Sequence, residues 1–308
     1  VDADLGSAAM TGPRVVALGG GHGLAASLRA IRRYAGEVAA IVSVADDGGS
    51  SGRLRSTLGI PPPGDLRKCL VALADPASVW VDTFEYRFVA GELEGHAVGN
   101  LVIAGLAATT GDFEVALAEA GRVLGAVGVV IPATREPVVL KATVRATDGE
   151  GGEQMVGHVA VEGQVAVANS GGIAGISLIP PDPVPPDAAL EAIAAADQVV
   201  IGPGSLFTSV LAVVAVPAIR DALRATSAPK VYVCNLRVQA PETAGYDVAA
   251  HVDALRAHGL DVDVVLCHPG ALPLGGLTVR AVERPVARPG ETVHDAHLLA
   301  AALADLVG

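Results

Sequence analysis

Aromatic residues are scarce in this chain: Phe, Tyr and Trp make up 3% of its 308 residues, and there is one Trp. About half of the residues are apolar all the same, so the core must be built from Ala, Val, Leu and Ile. That suits helices on a parallel sheet, where strands are covered on both faces and read as unbroken aliphatic runs. Cysteine is nearly absent as well. Cys69, Cys234 and Cys267 share no metal-ligand spacing, lie among apolar neighbours and are odd in number. This argues against a disulfide framework and for buried structural thiols. No segment reads as a secretory leader. The longest apolar run, Val210 to Val216, stops at Pro217, short of a membrane span. The expected location is the cytoplasm, with no integral membrane segment. Positive charge is in deficit: 21 Lys and Arg stand against 33 Asp and Glu, a formal net charge of −12. That balance disfavours nucleic acid and anionic lipid, but a few local donors still suffice for a small phosphorylated ligand.

Several catalytic patterns are missing. There is no Gly-x-Ser-x-Gly elbow, no Walker lysine and no Cys/His pair at a recognisable spacing. What is present is a series of strand–turn–helix loops rich in small residues. Arg14 to Leu18 reads as a buried strand, then comes Gly19-Gly20-Gly21-His22-Gly23, then a helix over Leu24 to Tyr34. A second strand, Val38 to Val44, leads into Ala45-Asp46-Asp47-Gly48-Gly49-Ser50-Ser51-Gly52-Arg53-Leu54-Arg55, read as a loop. Pro61-Pro62-Pro63-Gly64 precedes a helix for which Asp65 is the expected cap. Helices are expected near Ser78 to Phe88, Asn100 to Ala108 and Asp112 to Leu124.

The middle of the chain differs. Val138 to Ala146 and Glu153 to Val167 carry period-two, β-branched stretches around Asp148-Gly149-Glu150-Gly151-Gly152, a hairpin with a flexible tip. Alternation then resumes. Strands are expected at Ile173 to Ile179, Gln198 to Ile201, Lys230 to Cys234 and Val262 to Cys267. Helices are expected at Asp187 to Ala195, with Asp187 as cap, at Asp247 to His258 and at Asp295 to Leu306. The expected fold is α/β: a Rossmann-like, doubly wound, mostly parallel sheet with a small β-hairpin insertion. Residues 1–12 form a loose tail, and 13–308 one domain with the insertion near 136–168.

The loops are candidate ligand sites because open α/β sheets bind at the carboxyl ends of their strands. Gly20, Gly21, His22 and Gly23 free backbone N–H groups at a helix start, a natural phosphate site. Leu24 stands where the third glycine of a dinucleotide fingerprint belongs, which weakens a nicotinamide reading. Asp46 and Asp47 could hold a ribose, coordinate Mg²⁺ or cap the next segment, and alternation at a strand end lets only one of them face a ligand. Gly64, Asp65 and Arg67 open a helix suited to an anion. Gly95 to Asn100 repeats the theme; His96 there reads as a structural histidine or a general base. Gly204 and Ser205 form another phosphate-type turn. Asn235, with Gln239, Glu242 and Thr243 beyond it, could read a base or sugar.

Taken in order, Val15 to Leu24, Val42 to Arg55, Pro61 to Leu73, Glu85 to Phe88, Gly95 to Leu101, Gly202 to Val210 and Val233 to Tyr246 resemble the conserved blocks of the YvcK-like gluconeogenesis factors of the CofD-like superfamily. The resemblance covers nearly the whole chain and implies a CofD-like fold. It also implies a site for a UDP-sugar, chiefly UDP-N-acetylglucosamine. The role it implies is regulatory, linking central carbon metabolism to cell-wall synthesis and cell shape during gluconeogenic growth, with no assigned reaction. The diphosphate would lie against Gly20 to Gly23 and Gly204-Ser205. Asp46 or Asp47 and Asn100 would hold hydroxyls or the uridine. Gly64, Asp65, Arg67 and Asn235 complete the expected set. Cell-wall precursor or shape-determining proteins, or a second copy of the chain, are the expected partners. Two departures are His22, where many relatives have Thr, and Lys68, where many have Asn. The other branch of the superfamily, Mg²⁺-dependent phospholactyl or nucleotidyl transferases, is the alternative. It shows a lysine after Gly-Gly-Thr-Gly and an Asn-Thr-Gly-Asp-Asp block, neither of which is found here.

Overall fold

The computed structural model describes residues 12–147 and 155–307. The expected tail, apart from Gly12, and the hairpin tip at 148–152 lie outside the described residues. The first half runs β1 (Arg14–Gly19), α1 (Gly21–Ile31), β2 (Glu37–Val42), α2 (Gly49–Leu58), α3 (Pro63–Leu73), α4 (Val79–Glu85), α5 (Val98–Thr110), α6 (Phe113–Leu124) and β3 (Val129–Pro132). Then follow β4 (Val139–Thr147), β5 (Met155–Glu162), α7 (Gln164–Ala168), β6 (Ile173–Ile179), α8 (Asp187–Ala195) and β7 (Gln198–Ile201). A π-helical turn (Leu206–Val210) leads into α9 (Leu211–Val214), α10 (Pro217–Ala225), β8 (Lys230–Val233), α11 (Val248–Ala257), β9 (Val264–Cys267), β10 (Arg280–Glu283) and α12 (Ala296–Ala304).

β1 is apolar and buried from Val15 onward, as expected of a strand covered on both faces. It lies inside a seven-stranded sheet of order β10-β9-β8-β7-β1-β2-β3, in which every pairing is parallel. α1 packs against α3 and α12, while α8 packs against α10, β1 and β2, which sets one helical layer on each side of the sheet. From β1 the chain steps outward through β2 to β3, and later from β7 to β10 in the opposite direction. The reversal falls between β1 and β7. At such a switch point the loops leaving two neighbouring strands diverge and open a crevice.

The insertion is larger than the pattern predicts. β4 pairs antiparallel with β5 and, on its other side, with β6, in a separate three-stranded sheet. β6 therefore does not belong to the parallel sheet. Only Ile173 and Leu178 of its seven residues are buried, whereas β1 is buried without a break from Val15 onward. The pattern did not predict the short strands β3, which ends on Pro132, and β10, which has a charged residue at each end. The Gly/Ser stretch expected as a loop becomes the helix α2 from Gly49 onward. Asp65 is not a cap. Pro62 is the N-cap of α3 and Pro63 its first residue, where proline's missing N–H costs nothing. Asp187 likewise opens α8 behind Pro186 without capping it. The three cysteines are free and buried, as expected. Among the described residues no single helix is long and apolar enough to cross a membrane.

Candidate functional site

The turns after β1 and β7 meet over the crevice. Gly20 is extended at the N-cap of α1 and makes no side-chain cap, so the first N–H groups of the helix stay open to a ligand. Gly21 has φ +61, a conformation that costs glycine little and other residues much. Gly23 has no space for a side chain: an added Cβ would run into the Pro203 carbonyl, with Gly204 Cα only 2.6 Å away. The two turns are thus in backbone contact. Ser27 Oγ strengthens the join by donating to the Gly202 carbonyl at 2.7 Å. Asn235, beyond β8, closes the set: it accepts from Gly204 N–H at 3.0 Å and donates to Gly204 O at 2.9 Å. Buried Glu242 accepts from Phe207 and Thr208 N–H at 2.7 and 3.0 Å, which holds the start of the π-helical turn.

Two carboxylates face these turns. Asp46 accepts from Gly48 N–H at 3.0 Å, and burial, aided by the nearby Asp65 charge, pushes its carboxyl above the usual range. Asp65 sits under the first turn, where a Cβ on Gly20 would be 2.7 Å from Asp65 Oδ2. Lys68, one turn along α3, is paired with Asp65 at 3.0 Å. Exposed His22 has its pKa lowered, first by partial desolvation and then by Lys68, so it favours the neutral imidazole.

These groups line a cleft of about 650 Å³, roomy enough for a nucleotide-sized molecule. Its far wall is Asn235 to Ala240, including Arg237 and Gln239, and its rim is Thr292, Val293 and His294 from the loop before α12. Burial drives the His294 pKa down to about 4. Its Nε2 is buried and unpaired.

Nine of the thirteen expected residues line this cleft: Gly20, Gly21, His22, Gly23, Asp46, Asp65, Gly204, Ser205 and Asn235. Four do not. Asp47 turns away from Asp46 and accepts from Gln164 and Val165 N–H, both at 3.0 Å, at the start of α7. Gly64 lies behind Asp46, its N–H donating to Ser51 Oγ at 3.1 Å. Buried Arg67 donates to Asn100 Oδ1 and to the Phe84 carbonyl, each at 3.1 Å. Asn100 in turn donates to Ser50 Oγ at 3.0 Å. Arg53 and Arg55 also point elsewhere, to the Glu94 and Val138 carbonyls. The cations at the cleft are instead Lys68 and Arg237. Arg237 could have been found from the rule that every loop at the carboxyl edge of the sheet is a candidate. His294, brought in from a late loop, left no comparable signal.

Comparison with known proteins follows the same lines. The CofD family, described as 2-phospho-L-lactate transferase CofD, matches residues 15–289. A gluconeogenesis factor of Halalkalibacterium halodurans is 43% identical over 259 residues, covering 82% of this chain and 77% of that one. A Nostoc protein provisionally given the same name is 45% identical over 248 residues; the match covers 80% of this chain but about half, 52%, of that longer protein. The crystal structure of a protein member of the UPF0052 family from Bacillus halodurans superposes with a TM-score of 0.86 at 36% identity, covering 96% of this chain and 99% of that one.

Proposed function

This chain belongs to the CofD family, alongside the gluconeogenesis factors, and from that premise we propose that it is a cytoplasmic regulator that binds a UDP-sugar, UDP-N-acetylglucosamine, in the cleft between the β1 and β7 turns. The observation that carries this reading is the make-up of the cleft. Two backbone turns, the Lys68 ammonium and the Arg237 guanidinium supply donors for a diphosphate. Asp46, Asn235 and Gln239 supply acceptors and amides for sugar and base. Among the described residues no serine of the cleft is hydrogen-bonded to a histidine. Such a protein would sense a cell-wall precursor and pass the signal to cell-wall or shape-determining proteins when cells grow on gluconeogenic carbon.

One observation favours a second reading. Asp46 and Asp65 lie close enough for the charge of one to raise the pKa of the other. Mg²⁺ takes one or two carboxylates plus substrate phosphates, and these two residues fit that role in a transferase. Titration calorimetry with UDP-N-acetylglucosamine, with and without Mg²⁺, followed by mass analysis of the recovered ligand, separates the two. Saturable micromolar binding of an intact ligand is the expected result. Absence of binding, or a cleaved ligand, overturns the regulator reading.

A further inference from the structure

The chain has nine aromatic side chains (one Trp, four Tyr and four Phe), and four of them fall between residues 80 and 88. Phe84 is the anchor. It is fully buried, its ring lies edge-on to Trp80 at 6.4 Å, and a Cβ on Gly99 would come within 2.6 Å of it. The rest of the segment faces outward: Trp80 is 45% exposed and Tyr86 53%, beside Val79 at 72%, Val89 at 82% and Leu93 at 44%. The backbone beneath is pinned. Phe88 N–H donates to His96 O at 3.0 Å, Gly95 N–H to Phe88 O at 2.8 Å and Val98 N–H to Tyr86 O at 2.9 Å. Tyr86 and Phe88, two residues apart, stand edge to face at 5.5 Å. Rigid, exposed aromatic and aliphatic side chains on an otherwise aromatic-poor protein have the composition of an interface hot spot.

The charges around this surface are one-sided. Asp75, Asp82, Glu85, Glu92 and Glu94 are all exposed in the same stretch. The two arginines beside them, Arg53 and Arg87, are already donating to the Glu94 and Gly95 carbonyls. We infer that residues 79–94 are the docking site of a different protein, one that offers an apolar groove edged by Lys and Arg. A two-fold contact between copies would set these carboxylates against themselves, and an anionic lipid surface would repel them. The surface is also tied to the cleft. His96 Nδ1 lies 3.0 Å from Ser50 Oγ at the start of α2, and the buried Arg67–Asn100–Ser50 chain ends on the Phe84 carbonyl. Arg67 and Asn100, expected at the ligand, thus fix the aromatic surface to the helices that carry the cleft. The inference stands whichever ligand the cleft takes.

Trp80 is the only tryptophan, so its emission reports this surface alone. The test places a photo-crosslinking residue at Val89 of the full chain, in the organism's own cells, and identifies the linked peptides by mass spectrometry. Links to one other protein, at a peptide bearing Lys or Arg, are expected. That protein, once purified, shifts Trp80 emission to the blue. Trp80→Ser, and separately Asp82→Lys with Glu92→Lys, lower capture about tenfold or more while melting stays unchanged. The inference is overturned by links only to further copies of the chain, by links to lipid, by no link at all, or by capture that ignores the charge reversal.

Discussion

Lys68 is the cleft cation with the clearest single role. It faces the glycine turn while its ammonium neutralises Asp65 at 3.0 Å. Without it, an anionic ligand would meet Asp65 uncompensated. Lys68→Met is therefore expected to weaken UDP-N-acetylglucosamine about tenfold or more by calorimetry. An unchanged affinity would move the diphosphate away from α3 and toward Arg237. The neighbouring pair Asp46 and Asp47 shows how finely such roles divide. One residue apart, one carboxylate lines the cleft and the other fastens α7.

At the scale of elements, that fastening joins the small antiparallel sheet and its helix to the β2 loop. Asp47 reaches across more than a hundred residues of sequence to accept the first two N–H groups of α7. This is a helix cap supplied from a distance. Asp47→Ala is expected to cost about 1–2 kcal/mol in urea unfolding, the usual value of a lost cap. A variant as stable as the parent would mean that other contacts hold α7. The glycine turns show the converse dependence, because each is shaped by the other: Gly23 is held against Pro203 and Gly204, and Asn235 grips Gly204 from a third strand.

For the whole molecule, burial sets the response to pH. His294 has a folded pKa of about 4, below its ordinary 6.5, so its contribution to stability is complete above the unfolded value and is lost as pH falls toward 4. Burial lowers the pKa of His251 and His258 in the same direction. Asp46 and Glu242 act with the opposite sign, because their raised folded pKa makes ionisation costly as pH rises. The His294 share is isolated by comparing the parent with His294→Gln. Between pH 7.5 and 5 the parent should lose about 2 kcal/mol more than the variant in urea unfolding. Equal losses would show that His294 titrates normally.

Much of this was legible beforehand. Unbroken aliphatic runs such as Val15 to Leu18 marked the parallel strands, and glycine turns at their ends marked the edge where the cleft lies, because burial on both faces and close backbone approach each demand particular residues. The strand partner of Ile173 to Ile179, the direction of Asp47, and the removal of Arg67 and Asn100 from the cleft were not legible. Each depends on what lies across the fold, and a side chain of either role has the same local sequence. The amino-acid sequence by itself determined most of the elements, their α/β alternation and the sheet edge at which the candidate cleft opens. Only the tertiary structure decided which polar side chains face the cleft and which are spent in holding it together, since that choice rests on long-range contacts that no local pattern encodes.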